Sequence, residues 1–185
     1  MDIKKALSLI QFELASVFQE SNLQNIEHMI KTLNDANVVI TAGAGRVGLV
    51  MSAFAKRLMH LGINAYFFTD TNVPRIKSGD VLFVGSGSGE TPSIVLISNI
   101  AKNSGADVLL CSANSHSKLV EISNHVLLIS SPHKNSDDVQ VKSRQPMTTL
   151  FEQALYLLLD GLVLCMMKEW EVSEELMKEK HNVLE

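Results

Sequence analysis

The chain has 185 residues, of which 46% are hydrophobic, 19% charged and only 5% aromatic. This size and composition fit one domain with an aliphatic core and exclude an intrinsically disordered chain. Sixteen basic and twenty acidic residues give a net charge of −4. Because no cluster of Lys and Arg offsets that charge, broad electrostatic binding to nucleic acid is not expected.

Cysteine use and hydropathy predict a cytoplasmic protein without a membrane partner. Cys111 and Cys165 lie in apolar runs and have neither zinc-ligand spacing nor the pattern of a disulfide framework, which fits a reducing compartment. The N-terminal residues MDIKKALSLIQFEL lack the apolar centre and cleavage site of a secretory signal. The longest apolar stretch, residues 154–167, contains Asp160 and is shorter than the roughly 20 residues that a membrane span needs.

Apolar periodicity and glycine or proline breaks divide the chain into helices and strands. The pattern predicts, in chain order, helices over 3–18 and 23–33, a strand over 37–41, a helix ending at Leu61, strands over 65–68 and 80–84, a helix over 91–104, a strand over 108–111, a helical turn over 119–122, a strand over 125–129 and a helix over 148–168. Gly62 suits a helix C-cap. Strands that alternate with helices over short connections predict a parallel α/β sheet.

Three parts of the chain are expected to form a single domain: N-terminal helices over 1–35, an α/β core over 37–130 and C-terminal helices over 148–185. The polar connection over 130–146 has no periodicity, which is typical of an active-site or interface loop. The helix over 148–168 is apolar on several faces, more than one side of a sheet covers. This excess favours burial against another subunit.

Two glycine-rich loops each follow a predicted strand and open a helix. The first is Gly43-Ala44-Gly45-Arg46-Val47-Gly48 and the second Gly85-Ser86-Gly87-Ser88-Gly89-Glu90-Thr91. Helix N-termini carry free N–H groups and partial positive charge, and loops at the carboxyl ends of parallel strands meet at a switch point. Both loops are therefore expected to face one ligand. The first alone matches the dinucleotide pattern G-x-G-x-x-G only weakly.

The second loop points to a phosphate. Ser86, Ser88 and Thr91 bring three hydroxyl groups together with several backbone amides. No lysine follows the glycines, so the P-loop pattern of nucleoside triphosphatases is absent and a phosphate monoester remains. The alternative is that Ser and Gly only form a tight turn and a helix cap here.

The six histidines show no spacing typical of a metal site. His60 lies in the last turn before Gly62, where a cation favours the end of a helix. His181 stands in the polar C-terminal tail, from which it could reach the site of a neighbouring subunit, and a solvated tail histidine is the alternative.

The run Ser86-Gly87-Ser88-Gly89-Glu90-Thr91 after a strand resembles the signature of the sugar isomerase (SIS) domain. The resemblance extends to the 6-phospho-3-hexuloisomerases of that family across essentially the whole chain. The segments that carry it are Gly43-Ala44-Gly45-Arg46, Arg57-Leu58-Met59-His60-Leu61-Gly62, Gln145-Pro146-Met147, Leu150-Phe151-Glu152-Gln153 and His181-Asn182-Val183-Leu184-Glu185.

The resemblance implies a three-layer αβα sandwich around a five-stranded parallel sheet of flavodoxin-like (SIS) type, and a homotetramer. It implies an isomerase that interconverts D-arabino-3-hexulose 6-phosphate and D-fructose 6-phosphate through a 2,3-enediol, without metal, nucleotide or other cofactor. The pathway would be the ribulose monophosphate route of formaldehyde fixation, and the ligand a small sugar phosphate.

The resemblance also assigns roles to residues. Ser86, Ser88 and Thr91 would hold the phosphate, while Gly45 and Arg46 would line the sugar site. Glu152 is the candidate acid-base group, and His181 a second candidate for ring opening or proton transfer. For Glu152 the alternative is a glutamate favoured by the helix dipole, and for Arg46 a salt-bridge partner.

One departure from the family pattern bears on these assignments. The family usually reads Gly-Arg-Ser-Gly in the first loop, whereas Val47 occupies the serine position here. Two alternatives stay open: another SIS isomerase, acting on arabinose 5-phosphate or sedoheptulose 7-phosphate, and a non-catalytic sugar-phosphate sensor. Regulators of the latter kind carry a DNA-binding helix-turn-helix, but only about 36 residues precede the first predicted strand here and they are not basic.

Overall fold

Strands and helices alternate along the chain as the sequence predicts. The computed structural model describes residues 1–133 and 141–183. The elements are α1 (Ile3–Glu20), α2 (Ile26–Asp35), β1 (Val39–Ala42), α3 (Gly45–Leu61), β2 (Ala65–Phe67), β3 (Val81–Gly85), α4 (Pro92–Asn103), β4 (Asp107–Ser112), α5 (Lys118–Ile122), β5 (His125–Leu128), α6 (Thr149–Glu169) and α7 (Glu174–Glu179).

The five strands form one parallel sheet in the order β2-β1-β3-β4-β5. This order is that of flavodoxin-like folds, and it confirms the predicted sheet. The chain leaves β1 toward β2 on one side and returns to β3 on the other. The switch point therefore lies between β1 and β3, where the two glycine-rich loops begin.

Alternate residues of the strands face opposite helical layers. Val39, Val81 and Phe83 belong to a buried cluster that also contains residues of α1, α2, α3 and α6. Their neighbours Ile40 and Leu82 belong to a second cluster with residues of α4 and α5. Because successive side chains of a strand point to opposite faces, this division is that of a three-layer αβα sandwich, as predicted.

The start of α2 differs from the prediction for a structural reason. The pattern predicts a helix from residue 23, whereas α2 begins at Ile26. Asn22 instead forms an antiparallel bridge with Leu128, and the Asn25 side-chain amide donates to the carbonyl of Val126 at 2.8 Å. The connection before α2 thus lies along the edge of β5.

The predicted cap of α3 is confirmed, since Gly62 has a φ of 97° and its N–H donates to Met59 O at 2.9 Å.

Helix α6 exposes large apolar side chains on its outer face. Of the residues described, only α6 is long and apolar enough to cross a membrane, although 56% of its most apolar window is buried within the protein. The expectation that this region is too short for a span is therefore wrong on length, because the helix extends beyond the apolar run to 21 residues. Tyr156, Leu157 and Leu164 are exposed on it.

The polar connection and the tail are described in part. Residues 134–140 of the predicted 130–146 loop, and residues 184 and 185, lie outside the described residues. In the part of the tail that the structure describes after α6, residues 170–183, helix is confined to the short α7.

Replacing Phe83 with Ala should cost about 3–5 kcal/mol of unfolding free energy, because a cavity opens in the core. Phe83 is fully buried and meets Phe54 edge to face at 5.4 Å between ring centroids. Urea denaturation measures the loss, and Leu96→Ala on the 62% exposed Leu96 of α4 is the control, with a change within about 0.5 kcal/mol. Similar small losses in both variants would contradict the described core.

Candidate active site

A cleft of about 400 Å³ opens at the switch point between β1 and β3. The residues that line it include six of the seven predicted site residues: Gly45, Arg46, Ser86, Ser88, Thr91 and Glu152. A cleft of this size suits a small ligand. The two glycine-rich loops and the start of α6 therefore meet around one space.

The second loop is held from behind by the β4–α5 connection. Three consecutive carbonyl groups, those of Gly87, Ser88 and Gly89, accept hydrogen bonds from that connection and from the first turn of α5. The donors are the N–H of Ala113 at 3.2 Å, the side-chain amide of Asn114 at 3.0 Å and the N–H of Leu119 at 3.2 Å. Since the C=O and N–H of a trans peptide point in opposite directions, the N–H of Ser88 points away from this connection. This arrangement suits an anion in the cleft.

The hydroxyl groups of the loop both shape the turn and remain able to donate. Ser86 Oγ accepts from the N–H of Gly89 at 3.2 Å, and Ser88 Oγ accepts from the N–H of Glu90 at 3.3 Å. These two hydrogen bonds are the ones expected if the serines served only to form the turn. A hydroxyl that accepts one bond still has its proton to donate, so the same two groups can also bind a phosphate oxygen.

Gly89 and Glu90 fix the far end of the loop. Gly89 has a φ of 66°, and a Cβ at this position would lie 2.0 Å from Ser117 Oγ, so the backbone requires glycine. The Glu90 carboxylate accepts from the N–H of Lys118 at 2.9 Å and pairs with its ammonium group at 3.3 Å. These contacts of Lys118 lower the pKa of Glu90, its backbone N–H most of all. Glu90 thus braces the loop.

Glu152 faces the second loop from the first turn of α6. It is 8% exposed, and both of its carboxylate oxygens are engaged. Arg46 Nε donates to Oε2, while Thr148 Oγ1 donates to Oε1 at 3.2 Å. The Arg46 side chain is 68% exposed, so its guanidinium is accessible from solvent. The cleft therefore places a buried carboxylate, a largely exposed guanidinium and the hydroxyl-rich loop around one ligand-sized space.

His181 lies away from this cleft in its own chain. Its ring stacks on that of His60, with 5.1 Å between centroids, at the C-terminal end of α3. Both histidines line a second cavity of about 260 Å³ together with Arg57, Tyr156 and Asp160. The structure of one chain therefore does not bring His181 together with the other predicted site residues.

Two residues at the site escaped the sequence analysis. Thr148 lies one helical turn before Glu152, and this i, i+4 spacing is the signal that could have paired them. Asn114 follows β4, the neighbour of β3 in the sheet, and a polar side chain at the carboxyl end of that strand is a recognisable cue.

The SIS domain family model matches residues 32–157, about two thirds of the chain. The chain belongs to the SIS domain family. Relatives extend the match over its full length: 3-hexulose-6-phosphate isomerases of Mycobacterium gastri and Bacillus subtilis are 33% and 31% identical, covering 100% and 99% of this chain and 92% and 97% of their own. These full-length matches show that this SIS protein is an isomerase.

A solved structure supports the same family. A Methanococcus jannaschii protein, from whose structure a function of 3-hexulose-6-phosphate isomerase was inferred, superposes with a TM-score of 0.84. It is 25% identical, and the match covers 98% of this chain and 99% of that one. The sheet and helical layers of this SIS protein are thus those of a solved relative.

Replacing Val47 with Ser should tighten phosphate binding, because it adds a hydroxyl donor to the cleft. Val47 lines the cleft, and its Cγ1 would lie 3.0 Å from a Cβ on Gly85, where the second loop begins. A hydrogen bond to a charged group is worth about 1.5–3 kcal/mol, or roughly tenfold to a hundredfold in affinity. Calorimetric titration with inorganic phosphate measures the gain, and Val47→Ala controls for the lost methyl groups. Equal affinities for the Ser and Ala variants would contradict a phosphate near position 47.

Proposed function

We propose that this SIS isomerase interconverts D-arabino-3-hexulose 6-phosphate and D-fructose 6-phosphate through a 2,3-enediol. The observation that carries the proposal is the Glu152 carboxylate, which faces the hydroxyl-rich loop Ser86–Thr91 across a single cleft. Full-length similarity to 3-hexulose-6-phosphate isomerases supports the choice of sugar. The reaction belongs to the ribulose monophosphate route of formaldehyde fixation, and we propose a cytoplasmic setting for it.

The phosphate of the sugar would bind at the second loop. Ser86, Ser88 and Thr91 supply hydroxyl groups there. Thr91 is the N-cap residue of α4, but its side chain makes no capping hydrogen bond to the helix. The N-terminus of α4 adds its partial positive charge. Binding at this end fixes the sugar chain, so that C2 and C3 lie toward Glu152.

Glu152 would carry the proton between the two carbons. Its carboxylate removes the proton from C2 of the 3-ketose, which leaves the electron pair in a 2,3-enediolate. The same group then returns a proton to C3, while O3 gains and O2 loses a proton, which produces the 2-ketose. A single carboxylate suffices for both transfers because C2 and C3 are adjacent.

Arg46 would stabilise the negative charge of the enediolate. Its guanidinium pairs with Glu152 when no sugar is bound, and its largely exposed side chain leaves it room to turn toward the O2 and O3 oxygens. A positive group aimed at charge that develops during the reaction lowers the barrier. Gly45, which opens α3 at a φ of 56°, lines the sugar site beside it.

We further propose that the chain forms one domain and assembles as a homotetramer. Residues of α1, α2 and α6 share a buried cluster with the sheet, which supports one domain. The exposed residues Leu49, Leu157 and Leu164 on α3 and α6 support association, since exposed apolar patches mark protein interfaces. In such an assembly His181 serves the cleft of a neighbouring subunit.

Glu152→Gln should abolish most of the turnover of fructose 6-phosphate. The amide cannot take up the proton on C3 of fructose 6-phosphate, and loss of a general base lowers kcat by about 10²–10⁴-fold. NMR of the sugar measures turnover, and calorimetry should show fructose 6-phosphate binding retained. Glu169→Gln, at the exposed end of the same helix, is the control and should keep its kcat. Unchanged turnover in Glu152→Gln would remove Glu152 from the mechanism.

Leu164→Glu should break the assembly, because it places a charged side chain in the proposed interface, where the charge would be buried without a partner. In one chain Leu164 is 68% exposed. Sedimentation velocity at micromolar concentration is expected to give a tetramer for the unmodified protein and smaller species for this variant. Ile100→Glu, on a 52% exposed residue of α4 in the opposite layer, is the control. A monomer for the unmodified protein would refute the tetramer.

A further inference from the structure

Glu13 is a buried carboxylate that the proposed chemistry does not use. It lies in the middle of α1, is only 4% exposed, and has Val17, a fully buried core residue, one turn further along the helix. Burial of a carboxylate is costly unless hydrogen bonds compensate it. The partners of Glu13 therefore indicate what the residue does.

Those partners come from one segment that is 130 to 132 positions away in the sequence. Ser143 Oγ donates to Glu13 Oε2 at 2.7 Å, the Arg144 N–H donates to Oε1 at 2.8 Å, and the Gln145 side-chain amide donates to Oε2 at 3.0 Å. Burial opposes the charged form of Glu13, but these donors and the charge of Arg144 together lower its pKa. The segment is thus held by a carboxylate with both oxygens engaged.

The anchored segment leads within three residues to the cleft. Met147 and Thr148 line the cleft, and Met147 holds a φ of 56°. Thr149 donates from both its N–H and its hydroxyl to the carbonyl of Pro146, which fixes the turn into α6. Thr148 then holds Glu152 through its hydroxyl. Hydrogen bonds at both ends of the short backbone segment 143–148 therefore join Glu13 to Glu152.

Helix α1 also fixes the other side of the same connection. Ser130 Oγ donates to the carbonyl of Glu20 at 2.7 Å, and the Ser130 N–H donates to Ser21 Oγ at 3.1 Å. Helix α1 thus holds the chain both after β5 and before α6. It lies outside residues 32–157, the part that the family model matches.

We propose that Glu13 is a positioning residue of the active site, which holds Ser143–Gln145 so that Thr148 orients the Glu152 carboxylate; this inference rests on the proposed function. Glu13 acts on proton transfer and not on the phosphate loop, whose supports come from the β4–α5 connection and α5. Its removal is therefore expected to lower kcat while phosphate affinity stays unchanged.

The test compares Glu13→Ala and Glu13→Gln with Glu20→Gln, an exposed glutamate on the same helix that serves as the matched control. For Glu13→Ala, kcat with fructose 6-phosphate should fall by roughly tenfold to a hundredfold, since small displacements of a catalytic group have effects of that size. The Kd for inorganic phosphate should stay within about twofold, because distant sites without shared partners act independently. Glu13→Gln keeps an acceptor for the Arg144 N–H and should recover much of the lost kcat.

Two further measurements keep the outcome decisive. If Glu13→Ala does not fold, Gln145→Ala removes one donor of the same contact and should show a smaller loss of kcat with phosphate binding intact. Amide hydrogen exchange over residues 147–152 should be faster in Glu13→Ala than in Glu20→Gln. A folded Glu13→Ala with unchanged kcat, or with kcat and phosphate binding reduced together, would overturn the proposal.

Failure of the proposed function gives a different result. In that case the unmodified protein does not turn over fructose 6-phosphate at all, and hydrogen exchange alone decides the role of Glu13. Faster exchange over 147–152 in Glu13→Ala then still supports positioning of the cleft wall, and unchanged exchange overturns it.

Discussion

The site depends on the hydrogen bonds that the backbone carbonyls of Gly87, Ser88 and Gly89 accept from the β4–α5 connection and the first turn of α5. This hydrogen bonding turns the N–H of Ser88 away from the connection, and the Ser86 and Ser88 hydroxyl groups, which accept from Gly89 and Glu90, keep their protons for an anion. The parallel sheet makes it possible, because β3 and β4 are neighbours and both deliver their connections to the same edge. A recognition loop built this way needs little side-chain bulk, which explains its glycines.

The opposite wall of the cleft carries charged side chains. Glu152 is buried near the start of α6, and its charge is balanced by Arg46 from the other glycine-rich loop. The pair joins α3 to α6 across the switch point, so that the fold brings acid-base and electrostatic groups to the side opposite the phosphate loop. Helix α1, which packs on α6, adds a second support through Glu13.

Local patterns explain what the sequence could predict. The strands, the glycine-rich loops and the Gly62 cap each depend on neighbouring residues, and all are close to their predicted places. The six residues of the cleft were found because the family signature and the rule for parallel sheets place them at one edge. Gly45 opens α3, Ser86 follows β3 and Glu152 lies in α6. The strand order brings the first two together, and the packing of α6 against the sheet and α3 adds the third.

Contacts between distant segments explain what the sequence could not predict. The start of α2 is set by pairing with β5, more than 100 residues away, which no local periodicity records. Glu13 looks like an ordinary helix glutamate until residues 143–145 fold against it. The position of His181 beside His60 depends on the path of the tail, and the polar sequence there carries no periodic signal.

The position of deuterium in fructose 6-phosphate, after incubation with the protein in heavy water, tests the account most directly. The 2,3-enediol route predicts deuterium at C3, together with new NMR signals of 3-hexulose 6-phosphate. Deuterium at C1 would contradict it, because that label requires a 1,2-enediol and an aldose-ketose isomerase. No incorporation, with shifts that show the sugar phosphate still bound, would contradict it as well and indicate a binding protein.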